Sequence, residues 1–245
     1  MSGEWIDRGL DLLDQGDFEK AIECFEKATL EEPLDARAWF QSGVASRKLG
    51  KYEEAIRSFD KSIELDPLYA DAWRKRGATQ NDLGMYADAL GSSEKCMAID
   101  PTNAGTWIVR GFALHNLGRY EDAVASYARA IELNPFGADG RRAWNNRGAA
   151  LDNMRRHEEA IDSYEEAIMI DPFDIYAWNN KGVALSALGR HEEAIRCFHK
   201  AIEIQPGYAT AWKNKGVGLK ALGHDIEAKG AMEQAMKLGL KYDSG

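Results

Sequence analysis

The sequence predicts an all-α protein built as an α-solenoid of seven consecutive helix pairs. Tryptophan recurs from Trp5 to Trp212 at intervals of 34, 34, 34, 37, 34 and 34 residues. Each of the six prolines lies 28 residues after a tryptophan. Self-similarity at a fixed period of this length is typical of proteins made of stacked supersecondary units.

The first helix of each unit is predicted from about two residues before tryptophan to ten after it. Apolar residues recur there at three- and four-residue steps, as on one face of a helix. Glycine follows eleven residues after tryptophan in six units, and it ends a helix because it readily adopts the left-handed cap conformation. Arg155 takes this position in the fifth unit.

The second helix begins near the thirteenth residue after tryptophan with an acidic first turn, such as Glu53 and Glu54, which suits the positive end of a helix dipole. Proline ends this helix because the residue before it disfavours the helical region. In the third unit Gly91, Ser93 and Cys96 replace larger or better packing residues, so we expect a weak second helix there.

The combination W-x3-G, A-x3-F and a closing P resembles the tetratricopeptide repeat. The resemblance covers nearly the whole chain and implies a right-handed superhelix of antiparallel helix pairs, with first helices lining the concave groove. The expected units span about residues 2–35, 36–69, 70–103, 104–137, 141–174, 175–208 and 209–242. Three residues are inserted before Trp144, in FGADGRRA, and predict a longer turn. This insertion is interpreted either as a tolerated loop or as a hinge at residues 136–141.

Composition restricts the function classes. The net charge of −9 argues against a general nucleic-acid binder, because phosphate contacts dominate that affinity. We expect no signal peptide, membrane-spanning segment or disulfide framework, and the cysteines Cys24, Cys96 and Cys197 fit reduced thiols in a cytoplasmic protein.

The sequence carries no recognisable catalytic motif. It contains no glycine-rich phosphate loop, and the helix at His191 has Ile195 where a zinc helix needs its second histidine. His157 and His191 are expected to pack rather than bind metal. We therefore expect a non-enzymatic protein without catalytic residues, metal or cofactor.

The resemblance implies that residues two before tryptophan and one, two, five, eight and nine after it face the groove. Three apolar residues at these positions are larger than packing between neighbouring first helices requires. They are candidates for the apolar floor of a peptide site: Phe40, Ile108 and Phe112. Position plus five is never asparagine, which argues against the carboxylate clamp of chaperone-binding members.

Asparagine occupies position plus two in three successive units, at Asn146, Asn180 and Asn214. This resembles the asparagine ladder of O-linked N-acetylglucosamine transferases, where amides hold the backbone of an extended peptide. A primary amide suits that role because it both donates and accepts hydrogen bonds.

Charge is divided unevenly between the helices. The first helices, counted from three residues before each tryptophan to ten after it, carry 15 basic and 7 acidic residues, a net +8 that leaves −17 elsewhere. Cations at groove positions include Arg37, Arg74, Arg142, Lys213 and Lys220, together with Arg47 and Lys48, which also complement the helix dipole. Six further cations lie three residues after tryptophan, and we expect their stems to cover apolar surface.

These features predict an adaptor or scaffold that binds an acidic peptide or protein segment in the groove. One alternative is a structural protein that weakly self-associates through the last repeat, where Met232, Met236 and Leu238 are expected to be partly exposed. Another is a regulatory subunit of an enzyme encoded elsewhere.

Overall fold

The computed structural model describes residues 2–239, and this range is helical with short connections. None of its residues lies in a β-strand, which confirms the predicted all-α class. Its helices are α1 (Ser2–Gln15), α2 (Phe18–Glu31), α3 (Ala36–Lys48), α4 (Tyr52–Leu65), α5 (Ala70–Asp82), α6 (Tyr86–Ile99), α7 (Ala104–Asn116), α8 (Tyr120–Leu133), α9 (Gly137–Asn153), α10 (His157–Ile170), α11 (Ile175–Ala187), α12 (His191–Ile204), α13 (Ala209–Ala221) and α14 (Asp225–Lys237).

The chain divides into two compact units. Unit 1 runs to Arg119 and holds α1–α7, whereas unit 2 begins at Tyr120 and holds α8–α14. Within unit 1, α1 packs on α2, α3 on α4 and α5 on α6, and within unit 2, α9 packs on α10, α11 on α12 and α13 on α14. Neighbouring odd-numbered helices also touch each other within each unit. We call the side formed by α3, α5 and α7 the first-helix surface of unit 1, and that formed by α9, α11 and α13 the first-helix surface of unit 2.

The tryptophan and proline spacing has a direct structural cause. The indole Nε1 of Trp39 donates to the carbonyl oxygen of Pro33 at 3.0 Å, and the same bond joins Trp73 to Pro67 at 2.9 Å. Carbonyl groups just after a helix lack an intrahelical donor, so the indole satisfies one of them and ties each first helix to the preceding connection. Trp107, Trp178 and Trp212 repeat the arrangement.

Glycine four residues after tryptophan allows the two helices of a pair to approach closely. A Cβ placed on Gly43 would lie 2.6 Å from the ring of Phe59, which is fully buried. Gly182 and Phe198 meet in the same way. Because protein cores are close-packed, a small residue facing an aromatic ring defines the spacing of the pair.

In the third repeat Ser93 occupies the position that Phe59 and Phe198 hold in their repeats, and polar side chains pack beside it. Ser92 accepts from Arg76 Nη1 at 3.1 Å and donates to Gln80 Oε1 at 2.6 Å, and Gln80 is 2 % exposed. Cys96 Sγ lies 3.1 Å from Thr106 Oγ1. Satisfied hydrogen bonds therefore accompany the smaller side chains, although the expected weakness of this repeat stays a prediction.

The expectation of a longer turn before Trp144 is wrong. The inserted residues extend α9, which has 17 residues, whereas α11 and α13 have 13 each. Gly140 makes this possible, because a Cβ there would lie 2.4 Å from the carbonyl of Pro135. Residues 136–141 lie inside unit 2, and the hinge interpretation stays a prediction.

Candidate functional site

Asparagine side chains connect the first helices of unit 2. The Nδ2 of Asn180 on α11 donates to Oδ1 of Asn145 on α9 at 3.3 Å, and Nδ2 of Asn214 on α13 donates to Oδ1 of Asn179 on α11 at 2.9 Å. Asn179 Nδ2 also lies 3.4 Å from Asn180 Oδ1. The asparagine two residues after tryptophan in one repeat thus donates a hydrogen bond to the asparagine one residue after tryptophan in the preceding repeat.

This arrangement orients two of the three side chains that the sequence singled out, Asn180 and Asn214. Asn146, Asn180 and Asn214 are half-buried, so each keeps some contact with solvent. A side-chain amide has two N–H donors and an oxygen with two lone pairs, so one internal bond leaves capacity for a ligand. Sequence reasoning missed Asn145 and Asn179 as acceptors, although the repeated Asn-Asn pair in AWNN was the available signal.

An exposed apolar row runs beside these amides. Val183 and Val217, at plus five, are 43 % and 52 % exposed, and Ala149 in the same position is half-buried. Each lies three residues after a plus-two asparagine and therefore on the same side of its helix. The first-helix surface of unit 2 offers paired polar and apolar contacts along successive helices.

The three apolar candidates of unit 1 differ in their environment. Phe40 is 8 % exposed and packs on Phe59 and Tyr69, with ring centroids 5.9 and 4.9 Å away. Ile108 is 2 % exposed, so both residues belong to the packing between helices. Phe112 is 41 % exposed and is the one of these three with substantial surface for a ligand.

Three cations proposed for the groove pair with carboxylates of their own helix or its cap. Arg37 Nη2 lies 2.9 Å from Oδ2 of Asp35, and this hydrogen bond lowers the pKa of the Asp35 carboxyl. Arg74 binds Asp71 at 2.6 Å, and Arg142 lies 3.5 Å from Asp139.

The remaining two candidates, Lys213 and Lys220, are exposed on α13. Neither has an ion pair within 4.0 Å among the residues that the structure describes. These two lysines are therefore the groove cations of unit 2 that are least compensated by the protein itself.

The cations three residues after tryptophan do not face the first-helix surfaces. The guanidinium of Arg76 lies over the ring of Trp73 at 5.5 Å, and the ammonium of Lys215 lies over Trp212 at 5.4 Å. Arg8, Arg110, Arg147 and Lys181 stack on their own tryptophans at 5.6 to 6.0 Å. Cation–π attraction accounts for these positions, so six of the fifteen first-helix cations contribute little to the groove.

The described residues show no cluster of metal-binding side chains. No group of three or more His, Cys, Asp or Glu side chains in residues 2–239 is arranged to hold a metal. The three cysteines are buried and unpaired, and burial raises the pKa of the Cys96 and Cys197 thiols. Within the same range, every helix is too short or too polar to cross a bilayer.

Models of the tetratricopeptide repeat match most of the chain. One model covers residues 6–67 and 43–104, and another covers 104–136, 142–174 and 175–208. No curated protein sequence matches at a significant level. Tetratricopeptide repeat proteins are generally non-enzymatic scaffolds that bind protein or peptide partners.

Solved structures share the fold. A tetratricopeptide repeat protein from Parabacteroides merdae is 20 % identical with a TM-score of 0.76, and the match covers 99 % of this chain and 94 % of that one. MamA protein is 30 % identical over 71 % of this chain and 93 % of its own, with a TM-score of 0.59. YrrB, described as a TPR protein with an unusual peptide-binding site, is 28 % identical over 78 % and 96 %, with a TM-score of 0.59. The matched repeats, the helix pairs and these structural relatives show that the chain belongs to the tetratricopeptide repeat family.

Proposed function

We propose that this chain is a protein-interaction scaffold that binds an extended, acidic segment of a partner protein on the first-helix surface of unit 2. The observation that carries the proposal is the asparagine network of unit 2. Its bonds from Asn180 to Asn145 and from Asn214 to Asn179 hold amides at one position of successive helices. A row of oriented amides matches a peptide backbone, which presents one donor and one acceptor at each residue.

Preorganisation supports this role. Side chains that are already fixed in the free protein lose less conformational freedom when a ligand binds, so more of the interaction energy appears as affinity. The neighbouring Val183 and Val217 offer contacts for an apolar side chain of the same segment. YrrB, with its described peptide-binding site, supports a peptide ligand by similarity.

The expected acidity of the partner rests on exposed cations. Lys213 and Lys220 lie on α13, within the first-helix surface of unit 2. Exposed charges of this kind mainly steer association and are screened by salt. We therefore expect modest affinity for a short peptide that decreases as ionic strength rises.

A direct test measures fluorescence anisotropy with labelled peptides of about 12 residues, about 40 Å long when extended. One pool alternates Glu with Leu and Gly, and a control pool replaces Glu with Gln. We expect the acidic pool to bind and the Asn146→Ala/Asn180→Ala/Asn214→Ala variant to bind at least about tenfold more weakly, the loss expected from one to two hydrogen bonds.

The matched control is Asn134→Ala, which removes an exposed asparagine between α8 and α9. Circular dichroism establishes that each variant keeps its helix content. Equal affinity of the triple variant and the unaltered protein would reject the role of the amides. Equal binding of the two peptide pools would reject the acidic partner.

A second candidate function, self-assembly, is favoured by the last repeat. Met232 and Met236 on α14 line a cavity of about 440 Å³, and Met236 is 46 % exposed. Such apolar surface fits a protein contact. Light scattering across a concentration series tests this function, and a monomer at every concentration would exclude it.

Buried, unpaired cysteines favour a reducing compartment, so we place this scaffold in the cytoplasm. Localisation of the tagged full chain in its native cell checks this assignment.

A further inference from the structure

Four cations lie on the neighbouring helices α3 and α5 of the first-helix surface of unit 1. Arg47 and Lys48 form the last turn of α3, and Arg74 and Lys75 lie in the second turn of α5. The two helices touch, and Arg47 reaches across to Asp82 on α5, with Nη2 2.7 Å from Oδ2. We call these four residues the basic cluster.

The protein compensates only half of this charge. Arg47 pairs with Asp82, and Arg74 Nη2 lies 2.6 Å from Oδ1 of Asp71. The side-chain ammonium groups of Lys48 and Lys75 have neither a hydrogen bond nor an ion pair to any residue that the structure describes. The basic cluster and its two carboxylates together carry a net charge of about +2.

Lys75 is the less exposed of the two unpaired lysines and is poorly solvated. Its side chain is half-buried, whereas unpaired lysine side chains are usually exposed. Burial is the main cause that lowers the pKa of its ammonium, and repulsion from Arg74, Arg47 and Lys48 adds to it. A partly desolvated cation among like charges costs stability unless an anion compensates it.

We propose that the basic cluster binds the phosphate group of a phosphorylated side chain in a partner peptide. A phosphate monoester carries about −1.5 to −2 charges at neutral pH, which matches the uncompensated charge, whereas a carboxylate matches only half of it. Its oxygens accept several charge-assisted hydrogen bonds, which Lys75 and the two guanidinium groups are able to donate. The proposal deepens the function proposed above and rests on it for the peptide nature of the ligand.

The test uses the full chain and three acetylated, amidated tripeptides with phosphoserine, aspartate or serine between two glycines. Binding is followed at constant ionic strength by the NMR shifts of backbone amides in α3 and α5. We expect the phosphoserine peptide to bind at this place, with aspartate weaker and serine not detectable. Lys75→Gln should weaken phosphoserine binding about tenfold, as for one lost charge-assisted hydrogen bond.

A matched control separates this site from general charge attraction. Lys95→Gln removes one exposed lysine of α6 in the same unit, and it should leave phosphoserine binding unchanged. Thermal unfolding gives a second readout, because Lys75→Gln should unfold at the same or a higher temperature. A lower temperature would point to a structural role for Lys75, and Lys48→Gln then tests binding without disturbing a half-buried side chain.

The remaining outcomes each decide the proposal. Equal loss of binding in Lys75→Gln and Lys95→Gln, or equal affinity for phosphoserine and aspartate, would overturn it. Inorganic phosphate that binds as tightly as the phosphoserine peptide would assign the cluster to a free anion and reject a peptide ligand. The asparagine variants of unit 2 test the proposed peptide function, whereas Lys75→Gln tests phosphate binding in unit 1. The two experiments can therefore fail separately.

Discussion

The side-chain nitrogen of Asn214 donates a hydrogen bond of 2.9 Å to the side-chain oxygen of Asn179 on the neighbouring first helix. Asn179 is 5 % exposed, so water cannot easily replace this contact. Asn179→Ala should lower the free energy of unfolding by about 1–3 kcal/mol, because it leaves polar groups without their partner. Urea unfolding followed by circular dichroism measures the change. A loss no larger than that of Asn134→Ala would contradict a stabilising role for the network.

Arg155 is the one non-glycine residue in the described range with a positive φ, at 58°. The six other repeats have glycine at the equivalent position, each with a positive φ, as the sequence pattern predicts: Gly16, Gly50, Gly84, Gly118, Gly189 and Gly223. Arg155→Gly should raise the free energy of unfolding by about 1 kcal/mol, because the left-handed conformation strains residues with a Cβ. The reverse change, Gly189→Ala, should lower it by a similar amount. Thermal unfolding of both variants is the measurement, and shifts of the same sign would contradict this explanation.

Gly43 and Gly91 form a matched pair for alanine substitution. A Cβ on Gly43 would lie 2.6 Å from Phe59, so Gly43→Ala should destabilise the protein by about 1–3 kcal/mol through overpacking. Gly91 lies in the interior of α6 with open space around it, so Gly91→Ala should stabilise by about 0.5–1 kcal/mol. Denaturant titration gives both values. A neutral Gly91→Ala would show that repeat 3 is not weakened by this glycine.

Asp152 connects α9 to α10 through two side chains. Its Oδ2 accepts from the Tyr164 hydroxyl at 3.0 Å, and Oδ1 lies 2.9 Å from Nδ1 of His157. Burial raises the pKa of the Asp152 carboxyl, and these two hydrogen bonds only partly oppose that shift. The native state therefore holds this proton more tightly than the unfolded state does.

This shift predicts a particular pH dependence. The contribution of Asp152 to stability should decrease as pH rises from about 4, the ordinary carboxyl pKa, through its raised native pKa. Asp152→Asn cannot ionise, so its stability relative to the unaltered protein should increase over the same range. Unfolding curves at several pH values test the prediction. A pH-independent difference between the two proteins would reject the raised pKa.

Sequence periodicity determined the fold. Tryptophan and proline recur at fixed spacing because a hydrogen bond joins them, as between Trp39 and Pro33. Glycine recurs four residues after tryptophan because an aromatic ring packs against it, as Phe59 does against Gly43. These contacts link residues within about one repeat of each other, so the same residue types recur at regular spacing along the sequence. The helix pairs, the all-α class and the membership of the tetratricopeptide repeat family were therefore predictable from residue spacing alone.

Tertiary structure decided which side chains of the first helices are available to a ligand. Phe40 and Phe112 are both large, apolar and at predicted groove positions, yet one is 8 % exposed and the other 41 %. Their difference depends on neighbours from other helices, such as Tyr69 against Phe40, which no single repeat specifies. Similarly, stacking on Trp73 removes Arg76 from the groove, whereas Lys75, one residue earlier, stays unpaired beside Arg74. Periodicity sets where a residue lies on its helix, but burial and charge compensation depend on contacts between helices that appear only when they pack.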